Sequence, residues 1–137
     1  DAHGAQPYAN LLDRVNGGIL YGSGASIENF PNHMKHYVLW NFRHSGNQSH
    51  YDFWLPGDAR DRFVKPIIVG FHGEQATFNE NSLEVLESQG SPVEPESLFE
   101  AQLKHRLQAE PAWLSALRTE WEQIRTTPLP AYPATTF

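Results

Sequence analysis

The sequence predicts a mainly β fold followed by a pair of C-terminal helices. Three observations carry this reading. Short runs rich in β-branched and aromatic residues alternate with glycine and proline through about residue 90. Apolar residues at helical spacing appear only beyond Pro95. The charge balance changes between the two regions: residues 1–73 carry six acids and six bases, whereas residues 74–110 carry eight acids against Lys104 and Arg106. The expected division is a β-rich region at 1–90, a helical region at 91–127 and an irregular tail at 128–137.

The expected strands follow one another closely. Gly17–Gly22 is an apolar run between glycines, His36–Phe42 is aromatic and β-branched, and Tyr51–Leu55 closes on Pro56-Gly57-Asp58. Pro66–Phe71 ends in His72-Gly73, and Ser82–Glu87 reads as one more strand or a single helical turn. Their centres, near residues 20, 39, 53, 68 and 85, suit a sandwich, a barrel or a solenoid of stacked β-coils. Spacing does not choose among them.

The helical signals are sharper. Ser97 with Glu100 three residues later is a capping box, and Leu98, Phe99, Leu103 and Leu107 then recur at helical spacing. Pro111 opens a second helix, with Trp113, Leu114, Leu117, Trp121 and Ile124 along one stripe. Thr126-Thr127-Pro128 stops it. The expected helices are 97–108 and 111–125. Their apolar groups call for a partner surface, and the last β-coil, around Ile67–Phe71 and Leu83–Leu86, is the nearest in sequence.

Composition narrows the function. Four Trp, five Tyr and eight Phe in 137 residues need a core to bury them. No apolar run is long enough to span a membrane. A net charge of −6 argues against nucleic acid, which needs clustered Lys and Arg. The absence of cysteine excludes disulfides, thiolate metal sites and a cysteine nucleophile. The chain opens on Asp1, which reads as a processed product or a piece of a longer protein. No GxSxG, P-loop or GxGxxG is present.

Several short matches resemble the end of secreted, pectate-lyase-like right-handed parallel β-helix proteins: Pro7-Tyr8-Ala9-Asn10-Leu11-Leu12-Asp13, Leu20-Tyr21-Gly22, Pro31-Asn32-His33 and Val38-Leu39-Trp40-Asn41-Phe42. Pro95-Glu96-Ser97-Leu98-Phe99-Glu100-Ala101-Gln102-Leu103 resembles the helix that closes the C-terminal domain of such proteins, a domain of unassigned activity. Phe99 stands where that pattern prefers tyrosine. The resemblance implies the end coils of a right-handed parallel β-helix, with the helices as a cap. The alternative is a β-sandwich with a helical appendage. It also implies a secreted or periplasmic bacterial, polysaccharide-degrading setting, with upstream coils of the same parent as neighbours and a polysaccharide, anionic by expectation, as ligand.

Six of seven histidines fall in the first 72 residues. His33 and His36 are spaced as a helical metal pair could be, but Pro31 and the strand beyond oppose a helix there, and no metal or cofactor is expected. Arg43, beside His44, has the planar fork that matches a uronate or sulfate. Trp54, next to a turn, and Tyr8 suit stacking on a sugar ring. Substrate binding is therefore expected from His33, His36, Arg43, His44, Trp54 and Tyr8. Asn41 is expected to be structural, as in the stacked asparagine ladders that solenoids build. Asp13, Asp52, Asp58 and Asp61 are the acid–base candidates, since glycoside hydrolysis needs two carboxyl groups across the bond. Catalytic residues remain unassigned, with lyase, glycoside hydrolase and non-catalytic glycan-binding or capping module all open.

Overall fold

A computed structural model describes residues 6–18, 28, 30–55 and 62–127. Ile19–Gly22, Asp58, Asp61 and the tail 128–137, all named above, lie outside the described residues.

Among the described residues, nine short strands make three parallel sheets. The first holds β1 (Leu11–Asp13), β3 (Val38–Trp40), β6 (Ile67–Val69) and β9 (Val85–Glu87). The second holds β2 (Asn16–Gly17), β4 (Arg43–His44) and β7 (His72–Gly73), and the third β5 (His50–Tyr51) and β8 (Thr77–Phe78). Every pair of these strands is parallel. Each pass of the chain thus adds one strand to successive sheets. The steps along the first sheet, from Leu11 to Val38, Ile67 and Val85, are 27, 29 and 18 residues. The sandwich alternative is corrected here, because sandwiches are built of antiparallel sheets. The 82–87 segment takes the strand form at β9, with a 3₁₀ turn at Glu80–Ser82 just before it.

Register fills the interior with matched rows. Leu12, Leu39, Ile68 and Leu86 align across the first sheet. Around the corner, Phe42 and Phe71 stack with ring planes 7° apart and centroids at 5.7 Å. Tyr51 and Phe78, partners in the third sheet, stack at 5.6 Å. Leu39, Ile68, Tyr51, Phe53, Phe63 and Phe71 are buried. Each such side chain contributes roughly 1.5–3 kcal/mol of transfer free energy.

The corners carry a regularity of their own. Arg14, Asn41, Gly70 and Ser88 each follow a strand of the first sheet, and all have positive φ, between 47° and 71°. They stack through the bonds Arg14 N–H to Trp40 O, Asn41 N–H to Val69 O and Gly70 N–H to Glu87 O, at 2.9, 2.9 and 3.0 Å. A second stack, Ala9, His36 and Lys65, lies two residues before β1, β3 and β6, again with positive φ. Left-handed residues on both sides bound β1, β3 and β6 at three residues each, whereas β9 has one only after it.

After β9 the chain doubles back across the first corner stack. Val93 meets Gly70, whose added Cβ would stand 3.3 Å from Val93 Cγ2. The Asn41 amide donates to Val93 O and Glu96 O and accepts from Val93 N–H, at 2.8, 2.9 and 2.7 Å. Trp40 Nε1 donates to Pro95 O, and Arg14 pairs with Glu96 at 2.8 Å. Asn41 is structural as expected, but it holds this strap and not an asparagine ladder.

The strap delivers α1 (Leu98–Leu107) to β1. Asp13 accepts from Ser97 Oγ and from the amides of Leu98 and Phe99, and Ser97 Oγ accepts from Glu100 N–H. The expected cap at Ser97 is present, reinforced by a carboxylate at the positive end of the helix. The start of α1 is therefore tied to the first described pass, not to the last one at Ile67–Phe71 and Leu83–Leu86. Asp13 is spent on this cap, which accounts for a residue first read as a possible acid or base.

The chain divides into two compact units, residues 1–101 and 102–137. The second contains most of α1 and α2 (Ala112–Thr126). Glu110 between them binds Lys104 and Arg118, each at 2.6 Å. The expectation that the apolar stripes are buried is not met: Leu103 and Leu114 are buried, but Leu107, Trp113, Leu117, Trp121 and Ile124 stay about half exposed.

Candidate functional site

A groove of about 450 Å³ opens on the first unit between the loop after β5 and the turn before β9. Trp54, Phe63 and Lys65 line it together with Asn79, Asn81 and Ser82. Trp54 is 48% exposed. The Arg62 guanidinium lies 5.9 Å from its ring, a cation–π contact that orients it. Phe63 forms a buried apolar floor.

Sequence chemistry builds the polar wall. Asn79 caps the 3₁₀ turn, its Oδ1 accepting from Asn81 N–H. Its Nδ2 donates to Asp52 Oδ2 at 2.7 Å, and Trp54 N–H donates to Asp52 Oδ1 at 2.9 Å. Ser82 is buried, donating to Asn79 O and accepting from Phe53 N–H. Burial acts to raise the Asp52 carboxyl, but hydrogen bonds from Asn79, the Trp54 amide and Ser82, aided by the charge of His50, outweigh it and hold Asp52 below the usual carboxylate value. Asp52 is thus an ionised anchor that fixes the loop bearing Trp54 against the amide-rich wall.

The six expected binding residues separate into four places. Trp54 stands at the groove. Tyr8 and His36 are exposed and meet edge to face, with ring centroids 5.3 Å apart. Arg43 is exposed on β4, in register between Asn16 and His72 on another sheet. His33 and His44 are buried, and the expectation that they touch substrate is corrected. His44 Nδ1 donates to Glu74 O at 3.1 Å and Nε2 accepts from the Tyr51 hydroxyl at 2.8 Å, so both nitrogens serve the core. His33 Nδ1 donates to Met34 O, and its ring packs between Tyr37 and Phe63. With His33 inside and His36 outside, the two do not converge on a metal. Among the described residues no group of three or more His, Asp or Glu could hold a metal ion, and no helix is long and apolar enough to cross a membrane.

Phe63, Lys65, Asn79 and Asn81 were not legible as site residues. The one local signal was the polar run Asn79-Glu80-Asn81-Ser82 directly after a strand, which also reads as an ordinary turn.

The chain has no significant match among curated proteins, and none among solved structures. A protein family does match it, over residues 1–117, spanning the three sheets, the strap, α1 and the start of α2. By that match the chain belongs to the family described as a domain of unknown function, DUF4955.

Proposed function

We propose that this chain is the C-terminal part of a secreted polysaccharide-processing protein of right-handed parallel β-helix architecture, and that it holds glycan in the Trp54 groove. The parallel sheets visited in rotation support the architecture, and crossovers between parallel strands of one sheet are right-handed in nearly all proteins. The observation that carries the ligand is that a half-exposed Trp54 shares the lining of one open groove with Asn79 and Asn81. An aromatic face takes the apolar face of a sugar, while amides donate to and accept from its hydroxyls.

A binding role is favoured over bond cleavage. Asp52, a carboxylate beside the groove, is committed to Asn79 and the Trp54 amide and is held ionised, which does not suit a general acid. The test is titration of the chain with pectic, alginate and sulfated oligosaccharides, following tryptophan fluorescence and assaying products. Saturable quenching that Trp54→Ala abolishes, with no product, is expected. Unsaturated ultraviolet-absorbing product makes the chain a lyase, and new reducing ends without it a hydrolase. No binding to any of the glycans rejects the groove reading.

A further inference from the structure

The groove is continued by a row of side chains along the second corner stack. Backbone bonds from Met34 N–H to Pro7 O, Ala9 N–H to Lys35 O, Val64 N–H to His33 O and Ile67 N–H to Tyr37 O lay three passes of chain on one another. Ala9, His36 and Lys65 occupy equivalent left-handed positions there. Such positions advance by about 4.8 Å per pass. Lys65 lines the groove, His36 is exposed one pass away beside exposed Lys35, and Tyr8, 60% exposed, touches the His36 ring from the pass beyond.

We propose that this row is a second subsite, contiguous with the groove, for an anionic, uronate-containing glycan chain. The proposal rests on the groove reading. The chain stacks first on Trp54, passes Lys65, and lies along Lys35 and His36 to reach the Tyr8 ring. Lys65 and Lys35 supply charge for successive carboxylates, while Tyr8 and His36 supply an aromatic surface and a ring N–H. His36 and Lys65 themselves, and Ala9 next to Tyr8, have left-handed backbone, and Tyr8, Lys35, His36 and Lys65 are all exposed. A chain too short to span from Trp54 to Tyr8 forfeits the second set of contacts.

The experiment compares trimers and hexamers of galacturonate and of mannuronate, with a neutral glucan hexamer as control, by calorimetry on the whole chain. Hexamers of at least one uronate are expected to bind about tenfold more tightly than trimers, a difference that shrinks in high salt. Tyr8→Ala and His36→Asn each return the hexamer to the trimer's affinity and leave the trimer unchanged. Asparagine is chosen because it tolerates the left-handed backbone, and both side chains are exposed, so melting temperatures should hold. Equal affinity for trimer and hexamer, with Trp54 still required, overturns the second subsite and leaves the groove standing. A length gain unaffected by Tyr8→Ala and His36→Asn, or matched by the neutral glucan, overturns it too. Absence of binding at every length rejects the groove itself and this extension with it.

Discussion

The two units of this chain treat their aromatic residues in opposite ways. In the first, Phe42, Tyr51, Phe53, Phe63 and Phe71 are at most 2% exposed and stack ring on ring, and His44 among them has a partner for each nitrogen. In the second, Trp113 and Trp121 stay more than half exposed on a helix whose apolar stripe was plain in the sequence. A hydrophobic period states which face of an element is apolar. It does not state that anything covers that face. In the stacked sheets the cover is automatic, because each pass presents the same row to the pass before it.

The contrast can be broken most forcefully at its centre. Phe71 touches Phe42, His44, Tyr51 and Phe78. Phe71→Ala should cost about 3–5 kcal/mol in urea unfolding. A cost near that of a surface change would mean that the ring stack is loose.

Next in size is the strap. At Gly70, with φ at +71°, an added Cβ would stand only 2.3 Å from Asn41 Oδ1. Gly70→Ala should therefore displace the amide that holds Val93 and Glu96, destabilising the chain by about 2–4 kcal/mol through left-handed strain and lost hydrogen bonds. Hydrogen exchange should quicken at Val93 and Gly70 while remaining slow at Leu39. Uniform acceleration would show that the strap and the sheets open as one unit.

Alkaline pH gives a third test within the buried region. Burial pushes the Tyr37 hydroxyl up to about 12. Its neutral form is therefore favoured by folding, and that stability is complete below the unfolded value of about 10 and is lost as pH rises toward 12. Tyr37→Phe should flatten the fall in stability between about pH 10 and 12. An identical fall in the variant would assign it to other groups.

Smaller effects are expected at the helices. Asp13→Ala removes the carboxylate from the start of α1 and should cost about 1 kcal/mol, with reduced helical circular dichroism. Trp121→Ala should change stability by less than about 0.5 kcal/mol, as for an exposed residue. A loss comparable to Phe71→Ala would show that the stripe is covered in solution and would erase the contrast between the two units.

Chain-local chemistry was readable in advance. The strands at Val38–Trp40 and Ile67–Val69, the helices at 98–107 and 112–126 and the Ser97 cap all rest on neighbours within a few residues, through side-chain branching, helical period and a hydroxyl three positions from its amide. Trp54 was legible as an exposed ring because a turn follows it. Strand pairing was not legible. The evenly spaced strand centres mix members of different sheets, and the passes along the first sheet differ in length, so no period marks them.

What only the tertiary structure decided was the meeting of residues far apart in the chain. Asp13 could be a base, a turn or a cap until Ser97 arrived beside it, and Asn41 had no partner until Val93 and Glu96 crossed its corner. His44 reads as a ligand in sequence and is a buried bridge between Glu74 and Tyr51 in space. Lys65 and Asn79, fourteen residues apart in the chain, line one groove. Local sequence determined the elements, since propensity and capping act over one turn or one strand. The site depended on register, which is set by the fit of whole side-chain rows against one another and so has no signature in any single segment.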